Sequence, residues 1–69
     1  MLQIVRSIAH AVEIMAGDVT NSRELIALLS ETYPNASYAE LRRGALYALT
    51  RPGINPDVVS VIYDCAIRL

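Results

Sequence analysis

Residues 34–41 read Pro34-Asn35-Ala36-Ser37-Tyr38-Ala39-Glu40-Leu41, and this stretch decides the fold class. Proline pushes the residue before it out of helical geometry, so a helix that precedes Pro34 must stop there. Ser37 and Glu40 then stand in Ser-x-x-Glu spacing, where each side chain satisfies an unpaired backbone N–H at the first turn of a helix. Ala36 and Leu41 occupy the positions of a small hydrophobic staple across the same turn. One helix ends and the next begins within this short span.

Working outward, Tyr38, Leu41, Ala45, Ala48 and Leu49 recur at helical spacing, and Arg51-Pro52-Gly53 stops the run. The third helix is therefore expected over 38–50. Its interior Gly44 costs roughly 1 kcal/mol relative to alanine in an exposed helix. With Ala45 and Ala48 it would let another helix approach closely, so it reads as a packing site. Upstream, Asn21 is an N-cap with Glu24 placed to complete a capping box, and Leu25, Ile26, Leu28 and Leu29 supply an apolar face. This second helix is expected over 22–32.

The N-terminal segment carries Ile4, Val5, Ile8, Val12 and Met15 on one face, with Gln3, Arg6, Ser7, His10 and Glu13 opposite. It predicts a helix over 2–16, closed by Gly17 in the left-handed conformation. At the other end, Asn55-Pro56-Asp57 supplies an N-cap, a proline at the first helical position and an acid at the positive end of the dipole. Val58–Ile62 is β-branched enough to suit a strand, but this start signal decides for a helix over 56–68. The expectation is an all-α, compact bundle of about four short helices, forming a single domain over 1–69.

Composition supports a packed chain. Hydrophobic residues make up 54% of the 69, with eight Leu, seven Ile, six Val and nine Ala, and neither Phe nor Trp. Disorder needs the opposite composition. A net charge of −1 gives no global attraction to nucleic acid or to anionic membranes. No stretch reaches the roughly 18 uncharged apolar residues of a spanning helix, so no membrane association is expected. The single Cys65 can form no intrachain disulfide, which fits a reducing compartment and a soluble, cytoplasmic chain.

Catalytic chemistry finds little to work with. His10 is the only histidine; it could pair with Glu13, but a zinc site wants three or four ligands. Cys65 shares a face with Val58, Ile62 and Leu69 and reads as a buried thiol rather than an activated nucleophile. Asp57 and Asp64 are seven residues apart, and the sequence contains no glycine-rich phosphate loop. The expectation is a non-enzymatic protein with no catalytic residue, metal or cofactor.

All six basic residues are Arg, the side chain better suited to bidentate contacts. In the third helix Glu40, Arg43, Tyr47 and Arg51 form one stripe flanked by Arg42, a candidate face for phosphates or an acidic protein surface. Ser37-Tyr38-Ala39-Glu40-Leu41 also resembles the opening of the first motif helix in helix-turn-helix domains. If it plays that part here, the fourth helix would read the groove, and its start, Asp57-Val58-Val59-Ser60-Val61, is acidic and aliphatic where phosphate donors belong. If instead the second helix opens the motif, the third reads the groove with Arg42, Arg43, Tyr47 and Arg51. The turn from Tyr33 through Ala36 is then longer than usual, and Glu40 sits where reading residues cluster.

The aliphatic surplus points elsewhere. The first helix carries Leu2, Ala11 and Ile14 beyond its main face, and the fourth adds Val59, Tyr63 and Ile67. Helices apolar around most of their circumference must be covered on more than one side, and uncovered patches mark association sites. The sequence thus predicts a small accessory or regulatory module. It would homodimerise or dock a helical partner, with Val59, Tyr63, Ile67 and Ile14 as the candidate interface. The alternative is a small helix-turn-helix-like DNA-binding regulator using the helix 38–50.

Overall fold

A computed structural model describes the backbone of residues 2–69 and the side chains of 3–69. The expectation placed on the Leu2 side chain lies outside these. Four helices follow one another: α1 (Leu2–Ala16), α2 (Ser22–Thr32), α3 (Tyr38–Leu49) and α4 (Pro56–Arg68). No strand occurs among the described residues, so the chain is an all-α bundle. Its extents are 28 × 24 × 18 Å.

The boundaries follow local chemistry. Ser37 Oγ accepts from the Glu40 N–H at 3.1 Å, and Glu40 Oε1 accepts from the Ser37 N–H at 2.9 Å, completing the capping box. Asn55 Oδ1 accepts from the Asp57 N–H at 2.9 Å and opens α4, with Pro56 in the first turn. The start signal therefore outweighs the β-branched run, because the helix lets Val58 and Ile62 reach the core on one face.

Three details depart from the expectations. Asn21 caps α2 through the Glu24 N–H at 3.0 Å, but Glu24 reaches one residue further back. Its Oε1 accepts from the Thr20 N–H at 3.0 Å and the Thr20 hydroxyl at 2.9 Å, and these bonds hold the Glu24 carboxyl below its usual pKa. Gly17 does not take the left-handed conformation; α1 ends in a tight turn with the Asp18 N–H on the Met15 carbonyl. α3 stops at Leu49, one residue short, with Thr50 as its cap. Gly53 alone among the described residues has a positive φ, 83°, directly after Pro52. Proline followed by a glycine of that φ is the pattern of a type II turn, closed here by the Ile54 N–H on the Arg51 carbonyl.

The core consists of Ile8, Ala9, Val12 and Ala16 of α1, Leu25 and Leu29 of α2, Leu41, Ala45 and Ala48 of α3, and Val58, Ile62, Cys65 and Ala66 of α4. Ile26, Leu28 and Leu49 are only half-buried, and Tyr38, expected on the inner side of α3, is 66% exposed. α1 and α3 pack most extensively, and Gly44 makes their contact. A Cβ at Gly44 would lie 2.2 Å from Ile8 Cγ2 and 2.6 Å from Ile8 Cβ. Glycine is required there by the approach of another helix, which explains its presence mid-helix despite its low propensity.

Candidate functional site

α4 positions most of the candidate interface. Its inner face seats Val58, Ile62, Cys65 and Ala66 in the core, which turns Val59, Tyr63 and Ile67 outward at i, i+4 and i+8. They are 37%, 56% and 64% exposed, an apolar line along the outer side of the helix. Ile14 is also exposed, but on α1, and it does not line the depression beside this stripe.

That depression, about 570 Å³ and open to solvent, lies between the outer face of α4 and the start of α2. Ser60, Tyr63, Asp64, Ile67 and Arg68 form one wall, and Asn21, Ser22 and Arg23 the other. Its floor is pinned by a contact between the two helices. The Ser22 hydroxyl, almost fully buried, donates to Asp64 Oδ2, which also accepts from Arg68 Nε at 2.8 Å. The serine hydroxyl first, then the guanidinium, holds the Asp64 carboxyl below its usual pKa. Sequence reading missed this junction. Asp64 was visible only as a solitary acid and Ser22 as an early helix residue, and nothing local signals that they meet 42 residues apart.

The arginine stripe of α3 is only partly assembled. Arg42 and Arg43 are exposed and Tyr47 is 38% exposed. Arg51 lies in the loop beyond α3, half-buried, with Nε 3.3 Å from Glu13 Oε1 of α1. This pair neutralises one of the arginines and engages the acid with which His10 could have paired; His10 itself is exposed. Glu40 is held in its capping box. Exposed Leu46 and Tyr38 add apolar area on α3 that the sequence reading did not assign to a surface.

Cys65 is fully buried, and burial first, then the negative charge of Asp64, pushes its thiol up to about 11. A thiol so held is neutral at physiological pH and poorly nucleophilic. Among the described residues no three His, Cys, Asp or Glu side chains converge on a common point. Likewise no described helix is long and apolar enough to cross a membrane. The class defined by fold and surface is an all-α bundle with an uncovered apolar face on its last helix. Comparison with protein-family models, with curated proteins and with solved structures finds no match for this chain.

Proposed function

We propose that this chain is a non-enzymatic helical module that works by association, through the outer face of α4. The observation that carries the reading is the line of Val59, Tyr63 and Ile67, exposed on a helix whose opposite side is fully committed to the core. Scattered exposed hydrophobes are normal on any protein, but three on successive turns of one helix form a continuous patch. Helical recognition commonly uses such anchors, laid against an apolar groove. The neighbouring depression, with apolar Tyr63 and Ile67 beside Arg23 and Arg68, offers an apolar centre with a polar rim, as interfaces do.

Size-exclusion chromatography with light scattering at micromolar concentration, together with partner capture, tests the reading against Ile67→Asp. Wild type is expected to form a dimer or retain a helical partner, and Ile67→Asp to lose that association with unchanged far-UV circular dichroism. A wild type that stays monomeric and retains no partner overturns it, as does an Ile67→Asp variant that associates like wild type.

A further inference from the structure

We propose that the outer face of α3 docks an acidic segment of a partner protein, one whose carboxylates lie beside an apolar side chain. This surface is separate from the outer face of α4 and stands on different residues.

Packing divides α3 into two sides. Leu41, Gly44, Ala45 and Ala48 are buried, and the opposite side carries two adjoining rows of exposed residues. Tyr38, Arg42 and Leu46 follow one another at four-residue steps, and Arg43 and Tyr47 do the same beside them. Residues four apart on a helix are neighbours on its surface. Each arginine therefore sits one turn from an exposed apolar or aromatic side chain, Leu46 at 45% and Tyr47 at 38% exposure. At 100° per residue, Arg43 and Leu46 fall about 30° either side of the direction opposite the buried residues, and Arg42 and Tyr47 about 70° either side. All four thus reach a partner laid on this face, and arginine with aromatic residues is the composition that interfaces favour.

The charge of the face is uncompensated. Arg42 and Arg43 make no ion pair and no side-chain hydrogen bond among the described residues, whereas Arg51 is held by Glu13 and Arg68 by Asp64. The helix supplies them no acid. Arg42 has Tyr38 and Leu46 four residues away and Ala39 and Ala45 three away. Arg43 has Ala39 and Tyr47 at four, and Leu46 and Glu40 at three. Glu40 is half-buried and turned to the start of the helix, where its Oε1 accepts from the Ser37 N–H. Two guanidinium groups therefore stand unneutralised in a chain whose net charge is −1.

The complement of such a face is anionic, and Leu46, set between the two arginines around the helix, calls for an apolar group as well. A protein segment bearing Asp or Glu next to an aliphatic side chain supplies both. A nucleic-acid backbone would meet the arginines alone. Two cations neutralise only two phosphates, far fewer than the contacts that carry binding to DNA.

NMR titration of the isotope-labelled chain tests this with three probes: a short helical peptide carrying two adjacent Glu and a Leu one turn away, the same peptide with Gln for Glu, and a DNA duplex. The acidic peptide is expected to shift the amides of Arg42, Arg43, Leu46 and Tyr47. Replacing Glu by Gln in the peptide, or Arg42→Gln with Arg43→Gln in the chain, is expected to weaken binding about tenfold. Circular dichroism confirms that the variant is folded. Ile67→Asp is expected to bind the peptide like wild type, which separates this surface from α4. An acidic peptide that leaves α3 unshifted overturns the proposal, as does one that binds the Arg42→Gln, Arg43→Gln variant as tightly as wild type. Tighter binding of the duplex than of the peptide at the same salt overturns the choice of a protein partner. Peptide binding lost in Ile67→Asp and kept in the arginine variant moves the docking to α4 and overturns the α3 surface.

Discussion

Alanine at Gly44 is the sharpest test of the packing that holds this bundle together. On an exposed helix the change would stabilise the chain by roughly 1 kcal/mol, through propensity alone. In the fold the new Cβ would arrive 2.2 Å from Ile8 Cγ2 and 2.6 Å from Ile8 Cβ, well inside contact distance. Ile8 cannot swing clear. It is fully buried, and a β-branched side chain in a helix is nearly confined to one rotamer. The Ala9 backbone N, 3.4 Å away, allows little sliding in that direction. α1 must therefore move off α3, and overpacking of this kind costs about 1–3 kcal/mol. Set against the propensity gain, the net loss is up to about 2 kcal/mol, and the thermal midpoint should fall by up to about 15 °C for a domain of this size. Thermal and urea unfolding followed at 222 nm measure it. A second variant isolates the cause. Ile8→Ala alone opens a cavity at a cost of about 2–5 kcal/mol; it removes Cγ2, the nearer of the two clashing atoms, and keeps Cβ, so adding Gly44→Ala to that background should cost less than it does in wild type. The favourable coupling expected is about 1 kcal/mol, because the two sites touch. A higher midpoint for Gly44→Ala, or additive effects in the double variant, would refute the close approach of α1 to α3.

Two other outcomes follow from the junction of α2 and α4. The Cys65 thiol, raised to about 11, should react with a thiol reagent at pH 8 far more slowly in the folded chain than in urea. A two-unit rise leaves roughly a hundredfold less thiolate, so equal labelling rates would contradict its burial. Because the folded value lies above the unfolded one, its contribution to stability is intact below the ordinary thiol range and is lost as pH climbs towards 11. Ser22→Ala removes the hydroxyl that Asp64 accepts from, at a cost of about 1 kcal/mol in chemical denaturation. The Asp64 carboxyl, now held low, should titrate at higher pH in that variant, read by NMR. A depressed carboxyl stabilises the fold above its ordinary range and loses that effect on acidification. Wild type should therefore lose more stability than Ser22→Ala as pH falls through the carboxylate range. An unchanged Asp64 titration would show that the serine does not hold it.

Sequence by itself determined where α2, α3 and α4 begin, because capping is a contact between neighbours: Asn21 with Glu24, Ser37 with Glu40, Asn55 with Asp57. It also marked Gly44 as a place of close approach, since a mid-helix glycine beside two alanines is otherwise a loss. Periodicity sorted Ile8, Val12, Leu25, Leu41 and Ile62 to the inside, as burial then placed them. What periodicity could not do was choose among apolar residues on a helix rich in them. Tyr38 and Leu46 lie outside, while Ala9 and Ala16 lie in the core, because the neighbouring helices of this bundle cover one arc and not another. The pairings made across the fold were illegible for the same reason. Ser22 with Asp64, Ser7 with Tyr33 at 2.8 Å, and Arg51 with Glu13 join residues far apart in the chain, so only the packing of helices brings them within reach. Local chemistry set the helices and the starts of α2, α3 and α4. Which side of α4 remains without a neighbour was decided by the way the other three helices pack.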